Sequence, residues 1–184
     1  MSPTKTITKT IWVSWTMSVG KTTFIEAFTK ELPEYTYIKE AARELIEEKN
    51  IDVNNISWRE LANFQKQIVD RQTINEVFTK APWITDTTFS DTLAYAKDAP
   101  DCEWIVDYVE SYYNKKIYDV IFYIPPEIEL EDDGVRHTDE EYRMLIDERI
   151  KYNLHSLAVK HPNVEIITLT GSVRERVDIA LKHI

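Results

Sequence analysis

The sequence predicts an α/β fold built on a five-stranded parallel sheet, and three observations support this prediction. Segments rich in β-branched and aromatic residues alternate with segments of helical periodicity along the 184 residues. Residues 120–124 form a continuous apolar run, which is typical of a strand buried on both faces. Gly20-Lys21-Thr22 stands between the first predicted strand and the first predicted helix. This alternation favours parallel strands joined by right-handed crossovers.

The individual elements follow from local patterns in chain order. Strands are predicted at the β-branched or apolar stretches 8–14, 35–39, 82–87, 120–124 and 164–170. Helices are predicted where apolar residues recur every three or four positions, at about 21–30, 40–48, 57–80, 90–97, 101–115, 139–160 and 172–183. Pro33 stops the first helix, and Pro100 separates the fourth from the fifth. Ser57 and Glu60 fit a capping box that opens the third helix.

Composition limits the class of protein. The length suggests one domain, and 43% hydrophobic with 11% aromatic residues supply a core and exclude wholesale disorder. The 22 basic and 32 acidic residues give a net charge of −10. That balance argues against a protein that coats duplex nucleic acid, because such binding needs clustered Lys and Arg. Cys102 is the only cysteine, which excludes an intrachain disulfide.

Neither a membrane helix nor a secretory signal is expected. No apolar run approaches the ~18 residues of a membrane-spanning helix. Residues 1–10 are polar and lack the apolar stretch of a signal peptide. Together with the single cysteine, this predicts a cytoplasmic protein that does not associate with membranes. The sequence leaves its oligomeric state open.

The strand–Gly20-Lys21-Thr22–helix arrangement predicts a phosphate-binding loop. Backbone N–H groups at a helix start bind phosphate oxygens, Lys21 would reach the β- and γ-phosphates, and the Thr22 hydroxyl would hold Mg²⁺. The full motif has glycine five residues before Gly20, where this chain has Trp15. An indole there must point away or crowd the loop. A tolerated natural variant, an engineered change and a loop with weakened nucleotide binding remain open. The predicted nucleotide-binding residues are Met17, Ser18, Val19, Gly20, Lys21, Thr22 and Thr23.

Four segments carry a resemblance to a known family. They are Thr16–Thr23 after strand 1, Lys39–Arg43 after strand 2, Ile84–Thr88 at strand 3, and Asp132–Arg136 leading to Tyr142-Arg143. In this order they resemble the P-loop kinase-type ATPases related to nicotinamide riboside kinase, and more broadly the nucleoside and nucleotide kinases. The resemblance spans nearly the whole chain. It implies one three-layer P-loop NTPase domain over residues 1–184, with a helical lid at about 127–145.

The resemblance also implies roles for two carboxylates at the carboxyl edge of the sheet, where α/β proteins bind ligands. Glu40, just after strand 2, would act as general base on the acceptor hydroxyl. Its alternative role is to stabilise the following helix through the helix dipole. Asp86, at the end of strand 3, would bind Mg²⁺ and its water shell. Its alternative role is that of a turn or helix-cap residue.

Five further polar side chains are candidates for phosphate or acceptor binding. Arg136 and Arg143 flank the start of the long helix, and the resemblance implies that they close over the transferring phosphates. Surface ion pairs with the neighbouring acids are the alternative. Arg43 would pair with Glu40 or hold the substrate. Gln65 and Arg71 lie on the helix that would form a wall of the acceptor pocket, or simply on its polar face.

These observations predict a Mg²⁺-dependent kinase that transfers the γ-phosphoryl group of ATP, or of GTP, to a small nucleoside, nucleotide or related metabolite. The predicted catalytic residues are Lys21, Glu40, Asp86, Arg136 and Arg143, and the predicted metal ligands are Thr22 and Asp86. Two alternatives stay open. One is a polynucleotide 5′-hydroxyl kinase, which the acidic balance disfavours. The other is a nucleotide-binding regulatory module that hydrolyses slowly or not at all, which Trp15 favours.

Overall fold

The computed structural model describes residues 9–16, 19–52, 55–97, 103–113, 118–127 and 140–184, without the side chains of Trp58 and Tyr113. The strands are β1 Ile11–Trp15, β2 Thr36–Ile38, β3 Trp83–Thr85, β4 Val120–Ile124 and β5 Glu165–Thr168. The helices are α1 Lys21–Glu31, α2 Ala41–Lys49, α3 Trp58–Phe78, α4 Phe89–Ala96, α5 Glu103–Tyr113, α6 Glu140–Lys160 and α7 Val173–Ala180, followed by a 3₁₀ turn at Leu181–His183. Each predicted strand and helix has a counterpart here.

The sheet is parallel throughout, with strand order β2-β3-β1-β4-β5. This confirms the predicted α/β class and the five-stranded parallel sheet. In parallel strands every carboxyl end lies at the same edge. The chain leaves β1 after Trp15, which pairs in register with Ile124 of β4, and it leaves β2 and β3 just before Glu40 and Asp86. Glu40 and Asp86 therefore lie at the edge of the sheet from which the loop leads into α1.

Two apolar cores cover the faces of the sheet and make three layers. Alternate residues of β1 point to opposite faces, as the period of a strand requires. Ile11 and Val13 pack with Phe24 of α1 and Val177 of α7 on one face. Trp12 packs on the other face with apolar residues of α3, α4, α5 and α6. A smaller cluster joins α2 to α3.

Two helix starts bear on the site. Gly20 is the N-cap residue of α1 at φ 74°, a left-handed conformation that favours glycine. Thr88 and Asp91 form a capping box at the start of α4 directly after the site edge. The capping box predicted at Ser57 and Glu60 is confirmed. Residues close together in the sequence therefore define where α1, α3 and α4 begin.

Some predictions fall partly outside the described residues. Met17, Ser18 and Arg136 are not described, and neither is most of the predicted lid, since residues 128–139 lie in a gap. The described part of the lid region includes the first turns of α6, which begins at Glu140. Among the described segments there is no helix with the length and apolar character needed to cross a membrane.

Candidate functional site

The carboxyl edge of the sheet brings Lys21, Glu40 and Asp86 into one cluster. Lys21 Nζ lies 3.3 Å from Glu40 Oε2, 3.2 Å from Asp86 Oδ2 and 3.2 Å from the backbone oxygen of Asp86. Lys21 and Asp86 are buried, and the Glu40 side chain is nearly so. The cluster unites three elements, because Lys21 opens α1, Glu40 precedes α2 and Asp86 follows β3.

Trp15 contributes the fourth side chain of the cluster. The Lys21 ammonium lies 3.4 Å from the centroid of the Trp15 ring, a cation–π contact. The indole N–H donates a short hydrogen bond to the backbone oxygen of Asp86. The sequence leads us to expect an indole that points away or crowds the loop. The ring does not point away, because it is buried between the loop lysine and the end of β3.

Burial dominates the electrostatics of Asp86. Desolvation raises the pKa of this carboxyl, the nearby Glu40 raises it further, and Lys21 and Tyr37 act in the opposite direction. The Tyr37 hydroxyl donates a hydrogen bond of 2.6 Å to Asp86 Oδ2. The other oxygen, Oδ1, is buried and has no hydrogen-bond partner among the described residues. An orphaned carboxylate oxygen at this position suits a hard cation.

A cation at this site would need ligands beyond the protein. Within the described segments, no group of three or more His, Cys, Asp or Glu side chains could hold a metal ion by itself. Asp86 offers one oxygen, and Thr22 lies exposed in the first turn of α1. Mg²⁺ is commonly held by one or two protein oxygens together with substrate phosphates and water. The residues present therefore fit a Mg²⁺ ion that arrives with a nucleotide.

A buried arginine supports the loop from behind, and the sequence analysis does not identify it. Arg176 of α7 donates a hydrogen bond of 2.6 Å from Nη1 to the backbone oxygen of Val19. Its Nη2 lies 3.2 Å from Glu127 Oε2, which also accepts a hydrogen bond of 2.8 Å from the backbone N–H of Gly171. The N-terminal end of α7 is thereby tied to the phosphate-binding loop. No local sequence pattern signals this contact, since it joins residues far apart in the chain.

Tyr37 is the other functional candidate that the sequence analysis misses. It appears there only as part of a β-rich stretch, yet its hydroxyl orients the Asp86 carboxylate. Burial raises the pKa of the Tyr37 hydroxyl and the contact with Asp86 raises it further, so the phenol keeps its proton and remains a donor. A signal is present in retrospect, because a tyrosine near the end of a strand beside β3 can reach that edge.

The predicted acceptor-binding residues lie on α2 and α3. Arg71 forms two hydrogen bonds of 2.8 Å to the Glu48 carboxylate and lies 3.5 Å from Glu44, which ties α3 to α2. Arg43 is exposed on α2, and Gln65 is buried on α3. The Arg71 ion pairs fit a structural role, whereas the burial of Gln65 does not fit an exposed polar face. Substrate binding by these three residues stays a prediction.

The other predicted residues line the start of their helices. Arg143 is buried in the first turns of α6, with Nη1 3.3 Å from Glu140 Oε2. The burial of Arg143 departs from the surface ion pair considered as its alternative, and closure over the phosphates stays a prediction. Thr23, like Thr22, is exposed at the start of α1, and Val19 is buried. The first turn of α1 thus presents two hydroxyl groups beside Lys21.

Fold and site together define a P-loop NTPase with the architecture of nucleoside kinases: a parallel five-stranded sheet, a left-handed Gly20 and a lysine that opens α1. The AAA domain family matches residues 11–176 of this chain. The match covers most of the 184 residues, so the chain belongs to that family. The predicted resemblance to P-loop kinase-like ATPases is confirmed.

Solved structures show the same fold at low sequence identity. A NadR protein in complex with NR has a TM-score of 0.73 and 24% identity, over 96% of this chain and 51% of that chain. A NadR structure with NAD and AMP-PNP has a TM-score of 0.71 and 21% identity, over 96% and 49%. A deoxyadenosine kinase from M. mycoides with bound dATP has a TM-score of 0.63 and 14% identity, over 94% and 97%. The chain thus spans about half the length of the NadR structures. No curated protein sequence matches it.

Proposed function

We propose that this chain is a Mg²⁺-dependent kinase that transfers the γ-phosphoryl group of ATP to a hydroxyl of a small nucleoside, nucleotide or related metabolite. The observation that carries the proposal is the cluster of Lys21, Glu40 and Asp86 at the carboxyl edge of the sheet. It unites a phosphate-binding cation, a candidate base and a candidate metal ligand. Phosphoryl transfer needs little more from a protein than positioning and electrostatic stabilisation.

The phosphate end of the nucleotide belongs at the start of α1. Backbone N–H groups from Val19 to Thr23 and the positive end of the helix dipole favour phosphate oxygens there. Lys21 would neutralise the β- and γ-phosphates. Asp86 Oδ1 and the Thr22 hydroxyl would hold Mg²⁺, which supplies charge neutralisation on the phosphates when it is bound.

Glu40 is the proposed general base. Its carboxylate faces the Lys21 ammonium at 3.3 Å. When Lys21 turns to the phosphates, Glu40 can accept the proton of an acceptor hydroxyl at the same edge. The acceptor oxygen then forms its bond to the γ-phosphorus, the bond to the bridging oxygen breaks, and ADP leaves with that electron pair.

The chemical class of the acceptor is proposed from the structural neighbours. The NadR protein is in complex with NR, and the deoxyadenosine kinase has bound dATP. These two ligands are a nucleoside and a nucleotide. The net charge of −10 disfavours a polynucleotide acceptor. The cytoplasmic location predicted from the sequence would supply ATP.

A second candidate function is a regulatory nucleotide-binding module with little or no transferase activity. One observation favours it: Lys21 is already held by two carboxylates and an aromatic ring. A lysine so engaged contributes less to phosphate binding unless it is released. Stimulation of turnover by an acceptor separates the two functions.

The test is ADP release from Mg-ATP, with Mg-GTP run in parallel. The acceptors are nucleosides, nucleoside monophosphates, nicotinamide riboside and a 5′-hydroxyl oligonucleotide. A kinase shows strong stimulation by one acceptor and formation of its phosphorylated product. Nucleotide binding without stimulation by any acceptor would favour the regulatory module. Absence of nucleotide binding would contradict both functions.

Lys21→Ala is the decisive variant. It removes the charge nearest the expected phosphates and should lower transfer by at least ~10²-fold, as loss of one transition-state donor does. Lys30→Ala is the matched control, because Lys30 lies exposed in the last turn of the same helix. The control should keep its activity, and thermal unfolding should show that both variants fold. Unchanged transfer in Lys21→Ala would contradict the assignment of the loop.

A further inference from the structure

The backbone at Trp15 does not need the glycine that the motif has there. Trp15 is the last residue of β1 and pairs with Ile124 in an ordinary parallel register. Among the described residues, the non-glycine position with positive φ is Asn50, which lies elsewhere. The indole therefore sits on unstrained backbone, and its effect must come from its contacts.

Those contacts join the two groups on which nucleotide binding depends. The ring face lies against the Lys21 ammonium at 3.4 Å, and the indole N–H donates to the backbone oxygen of Asp86. Trp15 is 7% exposed and Lys21 6% exposed. A cation–π contact shielded from water is stronger than an exposed one, because water does not compete for the ammonium. Trp15 thus holds Lys21 at the end of β3.

Lys21 cannot bind phosphates while it keeps these contacts. An ammonium has three N–H donors, and three oxygens of Glu40 and Asp86 lie within 3.3 Å of Nζ. Two carboxylates against one ammonium also leave an excess of negative charge, which repels a polyphosphate. An arriving Mg-nucleotide must therefore draw Lys21 away from the carboxylates and from the ring.

We propose that Trp15 is a positioning residue that acts through Lys21: it keeps the loop lysine retracted in the nucleotide-free protein and weakens nucleotide binding until a Mg-nucleotide displaces the lysine. The proposal deepens the proposed function and rests on its premise that this loop binds a nucleotide. Trp15 would then raise the nucleotide concentration at which half of the protein has nucleotide bound.

The first experiment measures the Kd for Mg-AMP-PNP by calorimetry in four proteins. Trp15→Leu keeps apolar bulk but removes the ring, Trp15→Phe keeps a ring for the ammonium, and Trp104→Leu is a control on the exposed side of α5. Loss of the cation–π contact should lower the Kd of Trp15→Leu by roughly 5- to 30-fold. Trp15→Phe should stay nearer to the parent protein, and Trp104→Leu should match it.

The second experiment measures the chemical reactivity of Lys21 in the absence of nucleotide. Acetylation of lysines by a small anhydride is followed by peptide mass spectrometry, with the exposed Lys30 as internal reference. Lys21 should react more slowly than Lys30 in the parent protein and faster in Trp15→Leu than in Trp15→Phe. This readout does not depend on nucleotide binding.

The two experiments separate the possible failures. A Kd in Trp15→Leu equal to or higher than that of the parent overturns the proposal, and so does a Lys21 reactivity that Trp15 does not change. If neither the parent nor any variant binds Mg-AMP-PNP, the role of Trp15 in nucleotide binding falls together with the proposed function. If the parent binds the nucleotide and only the dependence on Trp15 is missing, the proposed function stands alone.

Discussion

The sequence position of Glu40 suggests a structural role, whereas its neighbours in the fold suggest a role in the reaction. It occupies the N-cap position of α2, where a carboxylate would be expected to accept a first-turn N–H. Its side chain makes no such cap hydrogen bond within the described residues and lies 3.3 Å from Lys21 instead. Stabilisation of α2 through the helix dipole needs no such hydrogen bond, so this role and the role at the site both stay predictions.

Glu40→Gln tests that role. The amide keeps the size of the side chain and a hydrogen-bond acceptor but cannot take a proton, so transfer should fall by ~10²–10⁴-fold, the usual contribution of general base catalysis. The Kd for Mg-nucleotide should not rise, because the substitution removes one of the charges that hold Lys21 away from the phosphates, so weaker binding cannot explain the loss of transfer. The measurement is single-turnover transfer beside nucleotide calorimetry.

The control is Glu44→Gln, one turn further along α2, where the carboxylate lies 3.5 Å from Arg71. It makes the same chemical change away from the Lys21 cluster and should keep transfer within a few-fold of the parent. A loss of tenfold or less in Glu40→Gln would reduce Glu40 to a positioning role.

At the scale of elements, α7 holds the phosphate-binding loop in place. Arg176 is buried on α7 and binds both the Val19 backbone oxygen and the Glu127 carboxylate, which in turn receives the Gly171 N–H. A guanidinium can make these two contacts at once because its donors form a planar fork. The loop before α1, the end of β4 and the start of α7 are therefore joined through one side chain.

Arg176→Lys should loosen this junction. Lysine keeps the charge but cannot reproduce the fork, so one charged hydrogen bond is lost and the free energy of unfolding should drop by about 2 kcal/mol. The Kd for Mg-nucleotide should rise as well, because Val19 belongs to the loop. Chemical denaturation and calorimetry measure the two effects.

The comparison is Arg174→Lys on the same helix. Arg174 is exposed and pairs with Glu31 and Asp178 at the surface, where ion pairs add little stability. Arg174→Lys should leave both the free energy of unfolding and the Kd for Mg-nucleotide nearly unchanged. Equal effects of the two variants would mean that Arg176 has no special part in supporting the loop.

The elements themselves are well predicted because their signals are local. β4 matches the predicted residues 120–124, since a continuous apolar run ends at Pro125. β3 is shorter than the predicted 82–87 and spans Trp83–Thr85. The polar residues that follow leave the strand to form the site and the cap of α4. The ends of strands and helices depend on such tertiary contacts, which local sequence patterns do not predict.

The candidate site, like the elements, has some features that the sequence predicts and others that it does not. Parallel topology alone predicts that Glu40 and Asp86 reach the edge where Lys21 begins α1, and the structure brings the three together. The direction of the Trp15 ring and the reach of Arg176 to Val19 follow from packing between distant segments. No sequence periodicity or motif predicts either of these two contacts.

At the scale of the whole molecule, a buried carboxylate beneath the site connects its stability to pH. Asp91 is buried on α4, where it accepts hydrogen bonds from the Ser14 hydroxyl of β1 and from the Thr88 backbone N–H. The charges that act on it from other elements are those of Lys21 on α1 and, on ionisation, Tyr123 on β4. Burial outweighs the favourable contacts and raises the pKa of the Asp91 carboxyl to about 7.

The direction of the resulting pH dependence follows from proton linkage. Unfolding returns Asp91 to a pKa near 3.8, so the folded state binds the proton more tightly. Its contribution to stability is complete below about pH 4, declines as the pH rises and is lost above about pH 7. A shift of this size corresponds to roughly 4 kcal/mol across that window.

Asp91→Asn removes the titration and keeps one acceptor oxygen for the Thr88 N–H, while its amide NH2 can donate to the Ser14 hydroxyl oxygen. The free energy of unfolding of the parent protein should fall relative to that of the variant between about pH 4 and pH 7, and the difference should level off at both ends. Urea denaturation across this range measures it. Asp178→Asn, an exposed aspartate on α7 in a surface ion pair, should follow the parent curve apart from a small constant offset. A parent-minus-Asp91→Asn difference that stays constant with pH would mean that Asp91 is ionised within the fold. The cost of a buried charge would then have to be met by the Ser14, Thr88 and Lys21 contacts around it.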